Sequence, residues 1–480
     1  MNVYLSKKVM INEALPFIKE FIESLNDGLK EYNPNYGLSN LQIKWLCFCL
    51  MGILWTNSIC WARFERAGFG NYSLSALSWM FRKSEIAWDF LLTASIMVIL
   101  RKYGIKEGSL IVDDSDRGRS KNTKRIFKTY KQKDKKTGGY VNGQTIVLLL
   151  LVTSTVTLPV GFVFYIPDPV KKEWEKRDNI LKKQGVKKKD RPVQPVANPN
   201  YPTKPQLALK LLKNFKESFS SIKIKVVLAD ALYGIGSFMD KASELFGGIQ
   251  VLSQLRNNQN VHFFNKKMKV SDYFGKYAGT QKEISLRGGD TITATVNSVR
   301  IYVDAHGKKR FVVALKYEGE SEYRYIVATD LSWCTLDIIK AYSLRWLIEV
   351  FFEDWKLYEG WGQLAKQPDN EGSSRGLILS LLLDHCLLLH PLQQIQVKNK
   401  LPVYTVGSLQ RKAQADTIFD FIKELLNSEN PKEKLEQFAR MADSVFKLTL
   451  SKKHMSGRDL GKLEPAPSLK YRVFSQPSAA

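Results

Sequence analysis

The sequence predicts an α/β protein in which helices cover a mixed sheet, an all-β insertion interrupts the α/β part, and both ends of the chain are helical. Short β-branched segments of strand length recur between residues 109 and 255, and apolar segments with helical spacing alternate with the later ones. A block of hairpin-like segments between residues 257 and 332 predicts the insertion. Strands that alternate with helices pack as a sheet with helices on its faces.

The first 104 residues are predicted to form a helical region. Leu41–Trp55 and Leu74–Leu100 are apolar with helical spacing, and two glycines separate them. Two functions fit such a region, namely binding of DNA ends and simple packing without base contacts. No distinct helix-turn-helix pattern decides between them.

Residues 105–256 are predicted to form the first part of the α/β core. Within this part, Thr145–Ile166 is apolar and long enough to cross a bilayer. Its β-branched residues, the polar turn at Thr153–Thr155 and Pro159 favour two adjacent buried strands instead. A second apolar run, Leu377–Leu389, contains Asp384 and is predicted to be a core helix.

The remaining boundaries follow changes in composition. Residues 168–205 form a basic, Pro-rich insertion that is solvated or contacts DNA phosphates, and residues 257–336 form the β-rich insertion. Residues 337–400 are predicted to complete the core. Residues 401–480 are predicted to be a helical region for dimerisation or DNA contacts, followed by a basic tail.

The charge of the chain favours a polyanionic partner. Its 480 residues include 72 Lys and Arg against 47 Asp and Glu, a formal net charge of +25. Neutralising phosphates releases counterions, so nucleic acid is the first candidate and an anionic membrane surface the second. Five cysteines without CxxC spacing and the absence of a signal-peptide pattern favour the cytoplasm.

Three carboxylates stand where a side chain can enter a site. Asp113 follows the apolar strand SLIV, Asp230 ends the strand VVLA, and Glu349 lies on a predicted helix. In open α/β sheets sites gather near strand ends, and carboxylates gathered there need a cation. Two Mg²⁺ ions held by oxygen ligands would suit phosphodiester cleavage or transfer.

The stretch YSLRWLIEVFFEDWK is read as one apolar helix with a polar stripe. Tyr342, Arg345, Glu349 and Lys356 fall within about 60° of one another around a helix of 3.6 residues per turn. Arg345 and Lys356 would suit a phosphate near the metals, and Tyr342 could bond to another phosphate oxygen. The structural alternative is a buried Arg345–Glu349 ion pair at i,i+4.

These residues resemble a known family. Tyr-x2-Arg-x3-Glu-x6-Lys is the YREK signature of bacterial cut-and-paste DDE transposases of insertion-sequence family four, and it is complete here. IVDDS, with Asp113 and Ser115, and LADALYG, with Asp230, are similar to the family's two aspartate motifs. The resemblance covers residues 105–400, and it places a β-rich insertion between the second aspartate and the glutamate.

The resemblance implies an RNase H-like core in which Asp113, Asp230 and Glu349 bind two Mg²⁺ ions, with Mn²⁺ able to substitute. It also implies that Tyr342, Arg345 and Lys356 hold transposon-end DNA and that a homodimer bridges two ends. Asp114 adjoins Asp113, and strand alternation puts only one of them in the site. Matching Ser115 to the family's Ser or Thr selects Asp113.

Other candidates carry weaker signals. The resemblance also implies an aromatic ring in the insertion on which a flipped base stacks. Tyr325 is the first candidate for this ring and Trp333 the second. The alternative is that Tyr325 is an aromatic residue of the core. The basic segment 117–136, with ten Lys or Arg, is either a solvated face or a track for DNA. The five histidines form no cluster with the aspartates, and none is assigned to metal.

The sequence therefore predicts a bacterial, cytoplasmic transposase that cuts at terminal inverted repeats and joins 3′ ends to target DNA. One alternative is a metal-dependent nuclease without strand transfer. Another is a non-catalytic DNA-binding derivative of a transposase, against which the intact acidic triad speaks. A membrane protein is not expected.

Overall fold

Two long strands and a parallel neighbour lie side by side in one twelve-stranded sheet in the computed structural model. The structure describes residues 14–68, 72–120, 122–134, 138–264, 266–285, 291–364, 367–436 and 439. The basic tail predicted from the sequence lies outside these residues. The chain divides at Glu424 into a large first unit, which contains the sheet, and a second unit that begins at Leu425.

The helices begin and end as follows: α1 Pro16–Tyr32, α2 Asn40–Thr56, α3 Trp61–Ala67, α4 Leu74–Lys83, α5 Trp88–Lys102, α6 Pro169–Lys183, α7 Lys204–Ser218, α8 Gly236–Leu245, α9 Val270–Lys276, α10 Thr335–Ser343, α11 Trp346–Leu357, α12 Asn370–Leu388, α13 Pro391–Lys398 and α14 Val406–Leu426. The strands are β1 Glu107–Ser120, β2 Tyr130–Lys133, β3 Tyr140–Val152, β4 Thr157–Tyr165, β5 Lys223–Ala229, β6 Gln250–Leu255, β7 Asn260–Phe263, β8 Lys266–Lys269, β9 Thr280–Ser285, β10 Thr291–Val303, β11 Lys308–Tyr317 and β12 Arg324–Ala328.

The sheet is mixed, with strand order β2-β3-β1-β5-β6-β12-β11-β10-β7-β8, while β4 pairs with β3 and β9 with β10. β1 is antiparallel to β3 and parallel to β5, and β5 is parallel to β6. Beyond β6 in this strand order, the strands of the insertion continue the same sheet in antiparallel pairs, beginning with β12. The predicted α/β class is confirmed, and the architecture is consistent with an RNase H-like core.

The apolar segment Thr145–Ile166 forms two strands, as predicted. β3 and β4 pair in antiparallel register from Thr145↔Tyr165 to Val152↔Thr157. The Thr153 hydroxyl oxygen accepts the backbone N–H of Val156 at 2.9 Å, which closes the polar turn between them. Every residue of β3 from Gly143 to Val152 is buried, because the strand has a neighbour on each side and helices over the sheet.

The insertion differs from the prediction in one element, because it also contains the helix α9. Val270, Tyr273 and Phe274 are buried at spacings of three and four, so one face of this short helix packs on the sheet. The prediction of an all-β insertion is wrong to that extent. A turn at His306–Gly307 joins β10 to β11, with Gly307 at a φ of 64°.

The predicted core helix is confirmed, since α12 is buried along nearly its whole length. Among the described residues no single helix is long and apolar enough to cross a membrane, and the bent pair α12 and α13 meets that test by length and composition only. The N-terminal region is helical within its described residues, as α1 to α5.

Two carboxylic acids are buried, one directly after α11 and one within α12. Glu359 follows α11 and is 1% exposed, and Asp384, in α12, is also buried. Neither carboxyl oxygen of Glu359 has a hydrogen-bond partner among the described residues. Burial is the main cause that raises both pKa values, that of Asp384 to about 8, and repulsion from Asp354 raises them further. The folded chain therefore keeps both carboxyl groups protonated at pH values well above their ordinary pKa range.

We expect the free energy of unfolding to fall as pH rises from about 4, where carboxyls of the unfolded chain ionise, because Asp384 keeps its proton in the folded state up to about pH 8. The contribution of Asp384 to the free energy of unfolding is fully present below about pH 4 and is lost as pH rises through about 8. Asp384→Asn removes one titrating group, so the free energy of unfolding should fall less, by on the order of a few kcal/mol. Urea unfolding at about pH 5, 7 and 9 measures this. Glu353→Gln, at an exposed position of α11, should follow the parent protein; an equal fall in the Asp384 variant would contradict the prediction.

Candidate active site

Asp113 and Asp230, the first two predicted carboxylates, each follow a residue that is paired with its counterpart in the neighbouring parallel strand. β1 and β5 pair in register up to Val112 and Ala229. Asp113 and Asp230 are the next residues along their strands. The fold therefore brings two aspartates that are remote in sequence to neighbouring positions of the sheet. The strand-end expectation holds for Asp230, which directly follows β5, but not for Asp113, because β1 continues beyond it to Ser120.

Asp113 is a desolvated carboxylate that needs positive charge beside it. It is 8% exposed, and its Oδ1 accepts the backbone N–H of Asp114 at 2.7 Å. Burial is the main cause that raises the pKa of Asp113 to about 7, and the Asp230 carboxylate raises it further; the Asp114 N–H and the Arg345 guanidinium lower it. A cation at this position would favour the ionised form.

Asp113 and Asp114 have different partners. Arg345 Nη1 lies 3.1 Å from Asp113 Oδ2, whereas Lys204 Nζ, at the start of α7, lies 2.6 Å from Asp114 Oδ2. Alternation along β1 accounts for the difference. The choice of Asp113 as first metal ligand stays a prediction, and Asp113 is the one that shares Arg345 with the site helix.

The stretch from Tyr342 to Lys356 is not one continuous helix, so that prediction is wrong at Leu344 and Arg345. α10 ends before these residues and α11 begins after them. The backbone N–H of Arg345 bonds to the carbonyl oxygen of Tyr342 at 3.0 Å, an i to i−3 bond that tightens the backbone between the two helices. Tyr342 therefore lies on α10, while α11 carries Glu349 and Lys356.

Arg345 links the strand to the site helix. Its Nη1 lies 3.1 Å from Asp113 Oδ2 and 3.5 Å from Glu349 Oε1. The structural alternative, an i,i+4 Arg345–Glu349 pair, is thus present, but the Glu349 side chain is 43% exposed and the pair is extended by Asp113. One guanidinium nitrogen holds two of the three predicted carboxylates near each other.

The other two residues of the YREK signature, Tyr342 and Lys356, lie before Arg345 and after Glu349 in the sequence. Tyr342 is buried, and its hydroxyl faces the carbonyl oxygen of Ala229 at 3.5 Å, a long contact beside Asp230. Burial raises the pKa of Tyr342, so it stays a neutral phenol. Lys356 Nζ lies 5.5 Å from the centre of the Phe352 ring on α11, two turns beyond Glu349.

The three predicted donors are of the type that a hard divalent cation takes, because they are carboxylate oxygens. Asp113 and Asp230 are close enough that the charge of Asp230 raises the pKa of Asp113, and Ser115, two residues along the same face of β1, has a buried hydroxyl with no hydrogen-bond partner among the described residues. Within that part of the chain no group of three or more His, Cys, Asp or Glu side chains is arranged to hold a metal. The guanidinium of Arg345 lies between Asp113 and Glu349 instead.

Tyr325 does not face the site. Its side chain is 6% exposed, and its ring stacks on Phe274 of α9 with centroids 5.7 Å apart. This packing corresponds to the core-aromatic alternative. The prediction of a base-stacking Tyr325 is not supported, because α9, which the sequence did not predict, covers the ring. Trp333, the second candidate, lies half-buried between β12 and α10.

A cavity that sequence reasoning missed opens beside Tyr342 and Arg345. Its volume is about 570 Å³, and Tyr317, Arg324 and Trp346 contribute to its lining. Trp346 follows Arg345 directly and is 65% exposed. An apolar stretch read as one helix with a polar stripe gives no signal that Trp346, outside the stripe, is exposed.

The basic segment 117–136 is not uniformly solvated. The Arg117 guanidinium lies 5.6 Å from the centre of the buried Trp361 ring, and Arg119 Nη1 donates to the Leu364 carbonyl oxygen at 2.6 Å. These two arginines therefore pack β1 against the connection between α11 and α12. A DNA track along the rest of the segment stays a prediction.

Comparison with known families agrees with the coarse assignment. Residues 69–305 match the family described as DDE superfamily endonuclease. The matched region contains Asp113 and Asp230 and ends before Glu349. The match supports a DDE-type transposase or nuclease. No curated protein matches the chain.

We expect Tyr325→Ala to destabilise the whole fold by about 3–5 kcal/mol, as loss of a buried ring usually does. Tyr325→Phe keeps the ring on Phe274 and should stay within about 1 kcal/mol of the parent protein. Urea unfolding of the three proteins measures both effects. A stable Tyr325→Ala protein with a selective defect on DNA would contradict the core assignment.

Proposed function

We propose that this protein is a transposase of insertion-sequence family four that excises its element and joins the 3′ ends to target DNA. The observation that carries the proposal is the neighbouring position of Asp113 and Asp230 with Arg345 joining Asp113 to Glu349. The match of residues 69–305 to DDE superfamily endonucleases supports the chemistry. The YREK spacing supports the narrower family.

In this proposal Asp113, Asp230 and Glu349 would hold two Mg²⁺ ions, with Mn²⁺ able to substitute. The ions, when bound, supply activation of the attacking oxygen and stabilisation of the leaving one. The burial of Asp113 and its raised pKa support a cation at this place.

Arg345 and Lys356 would hold the phosphates of transposon-end DNA. A phosphate that enters the site competes with Asp113 and Glu349 for the Arg345 guanidinium, whose planar donors suit bidentate binding. Tyr342 is buried beside Asp230 and would reach only a phosphate that sits deep in the site. The basic chain would supply contacts to flanking and target DNA, at bacterial DNA in the cytoplasm, and a homodimer would bring two ends together.

The cavity beside Tyr342 and Arg345 is the place in this proposal where an extruded nucleobase would stack. Its volume of about 570 Å³ lies within the range of about 300–1,000 Å³ found for small-ligand pockets. Trp346 offers an exposed ring there, which Tyr325 does not. Base–aromatic stacking offsets part of the cost of extrusion.

We expect Asp113→Ala, Asp230→Ala and Glu349→Ala each to lower cleavage of terminal DNA by about a thousandfold or more, because loss of metal-based stabilisation costs several kcal/mol. Binding of end DNA should persist, since it depends on cations of the protein. Asp114→Asn is the matched control, because it changes the next residue of β1 and should leave cleavage within about threefold. Gel assays with Mg²⁺ and with EDTA measure both activities; cleavage by Glu349→Ala would refute the triad.

Strand transfer separates the proposal from a nuclease of the same fold. We expect the protein to join a pre-cut end with a free 3′-hydroxyl to plasmid DNA, and the same end with a 3′-dideoxy nucleotide to remain unjoined. Inverted repeats, sought in the DNA that flanks the gene, would supply the substrate. Cleavage without any joined product would favour the metal-dependent nuclease.

A further inference from the structure

The turn between β10 and β11 reaches back to the loop that carries Asp230. His306, in this turn, is 8% exposed, and its Nε2 lies 3.1 Å from the carbonyl oxygen of Gly234. Gly234 is four residues beyond Asp230, in the loop between β5 and α8. A residue of the insertion thus contacts the backbone of the proposed catalytic loop directly.

Arg310 determines which nitrogen of His306 carries the proton. Arg310 Nε donates to His306 Nδ1 at 3.1 Å, so Nδ1 is the acceptor and Nε2–H donates to Gly234. The Arg310 side chain is buried, and its Nη2 donates to Asp240 Oδ1 on α8 at 2.6 Å. Lys308 Nζ lies 2.9 Å from the other oxygen of Asp240. Burial lowers the pKa of His306, which agrees with a neutral ring.

The loop also contacts β6. Ser253 Oγ donates to the carbonyl oxygen of Asp230 at 2.8 Å. A Cβ atom at Gly234 would lie 2.2 Å from the carbonyl oxygen of Gln254, so only glycine allows this approach. The backbone from residue 230 to 234 is therefore held both by β6 and by His306.

We propose that His306 is a positioning residue that, through Gly234, fixes the loop on which Asp230 is presented. The inference rests on the proposed function, because it treats Asp230 as a catalytic carboxylate. It gives the insertion a role in the site: the β10–β11 turn supplies the donor, and Arg310 and Asp240 orient it. A displacement of about 1 Å in a reacting group can cost about a hundredfold in rate, so a single backbone contact matters here.

His385 offers a matched control elsewhere in the chain. It is fully buried, its Nε2 lies 3.0 Å from the carbonyl oxygen of Pro159, and its Nδ1 lies 2.7 Å from Ser95 Oγ. It therefore makes the same type of contact to a backbone carbonyl, but to β4 and not to the Asp230 loop. His306→Ala and His385→Ala remove equivalent groups.

The experiment measures amide hydrogen exchange of residues 230–236 in the full chain, together with single-turnover cleavage and the affinity for end DNA. In His306→Ala we expect exchange of these amides to rise about tenfold and cleavage to fall about tenfold to a hundredfold, with affinity changed less than about threefold. His306→Gln should recover most of both, because a carboxamide offers one donor and one acceptor as the neutral imidazole does. His385→Ala should lower the unfolding midpoint and leave both quantities, per folded molecule, near the parent values.

Unchanged exchange in His306→Ala would overturn the inference, as would faster exchange with unchanged cleavage. An equal loss of cleavage in folded His385→Ala would reduce the effect to general stability and would also overturn it. A parent protein that cleaves no DNA refutes the proposed function itself. An active parent with an unaffected His306 variant refutes only the positioning role.

Discussion

The rest of the site depends on the Arg345 guanidinium between Asp113 and Glu349. A carboxylate as buried as Asp113 is costly to ionise, and water does not compensate it. A cation must therefore stand beside it, and in the protein alone Arg345 is that cation. Because Arg345 directly precedes the helix α11, the same ion pair also links the start of the helix, and with it Glu349, to β1. This ion pair is therefore one of the contacts that join helix and sheet.

The sheet extends this constraint to the insertion. β6 pairs with β5 on one side and with β12 on the other, so the insertion continues the sheet that presents Asp113 and Asp230. Ser253 on β6 and His306 between β10 and β11 both bond to the loop after β5. The insertion is therefore part of the support of the site, and its length is not free to vary where these contacts form.

Much of the fold could be predicted because burial is encoded locally. β-branched runs predicted β1, β3, β4 and β5, and the polar turn at Thr153 separated two strands in a segment long enough for a membrane span. The break between α10 and α11 could not be predicted, because no Gly or Pro marks it and Arg345 is drawn to Asp113, 232 residues away. The packing of Tyr325 on α9 could not be predicted for a similar reason: strand alternation does not say which face a helix from another part of the chain will cover. The roles assigned to the three carboxylates stay predictions.

The distribution of charge gives the last step of the argument. The chain carries a formal charge of +25, yet Asp113 within β1 and Asp230 directly after β5 are neighbours, and one guanidinium lies between Asp113 and Glu349. A protein that only bound polyanions would lose affinity by placing acid at that point, since phosphates and carboxylates repel each other. A protein that must bring a phosphate to a bound cation needs this pattern, with acid at the centre to hold the cation and base around it to hold the strand. The local excess of carboxylate within a basic chain is therefore a stronger argument for metal-dependent phosphodiester chemistry than either charge alone.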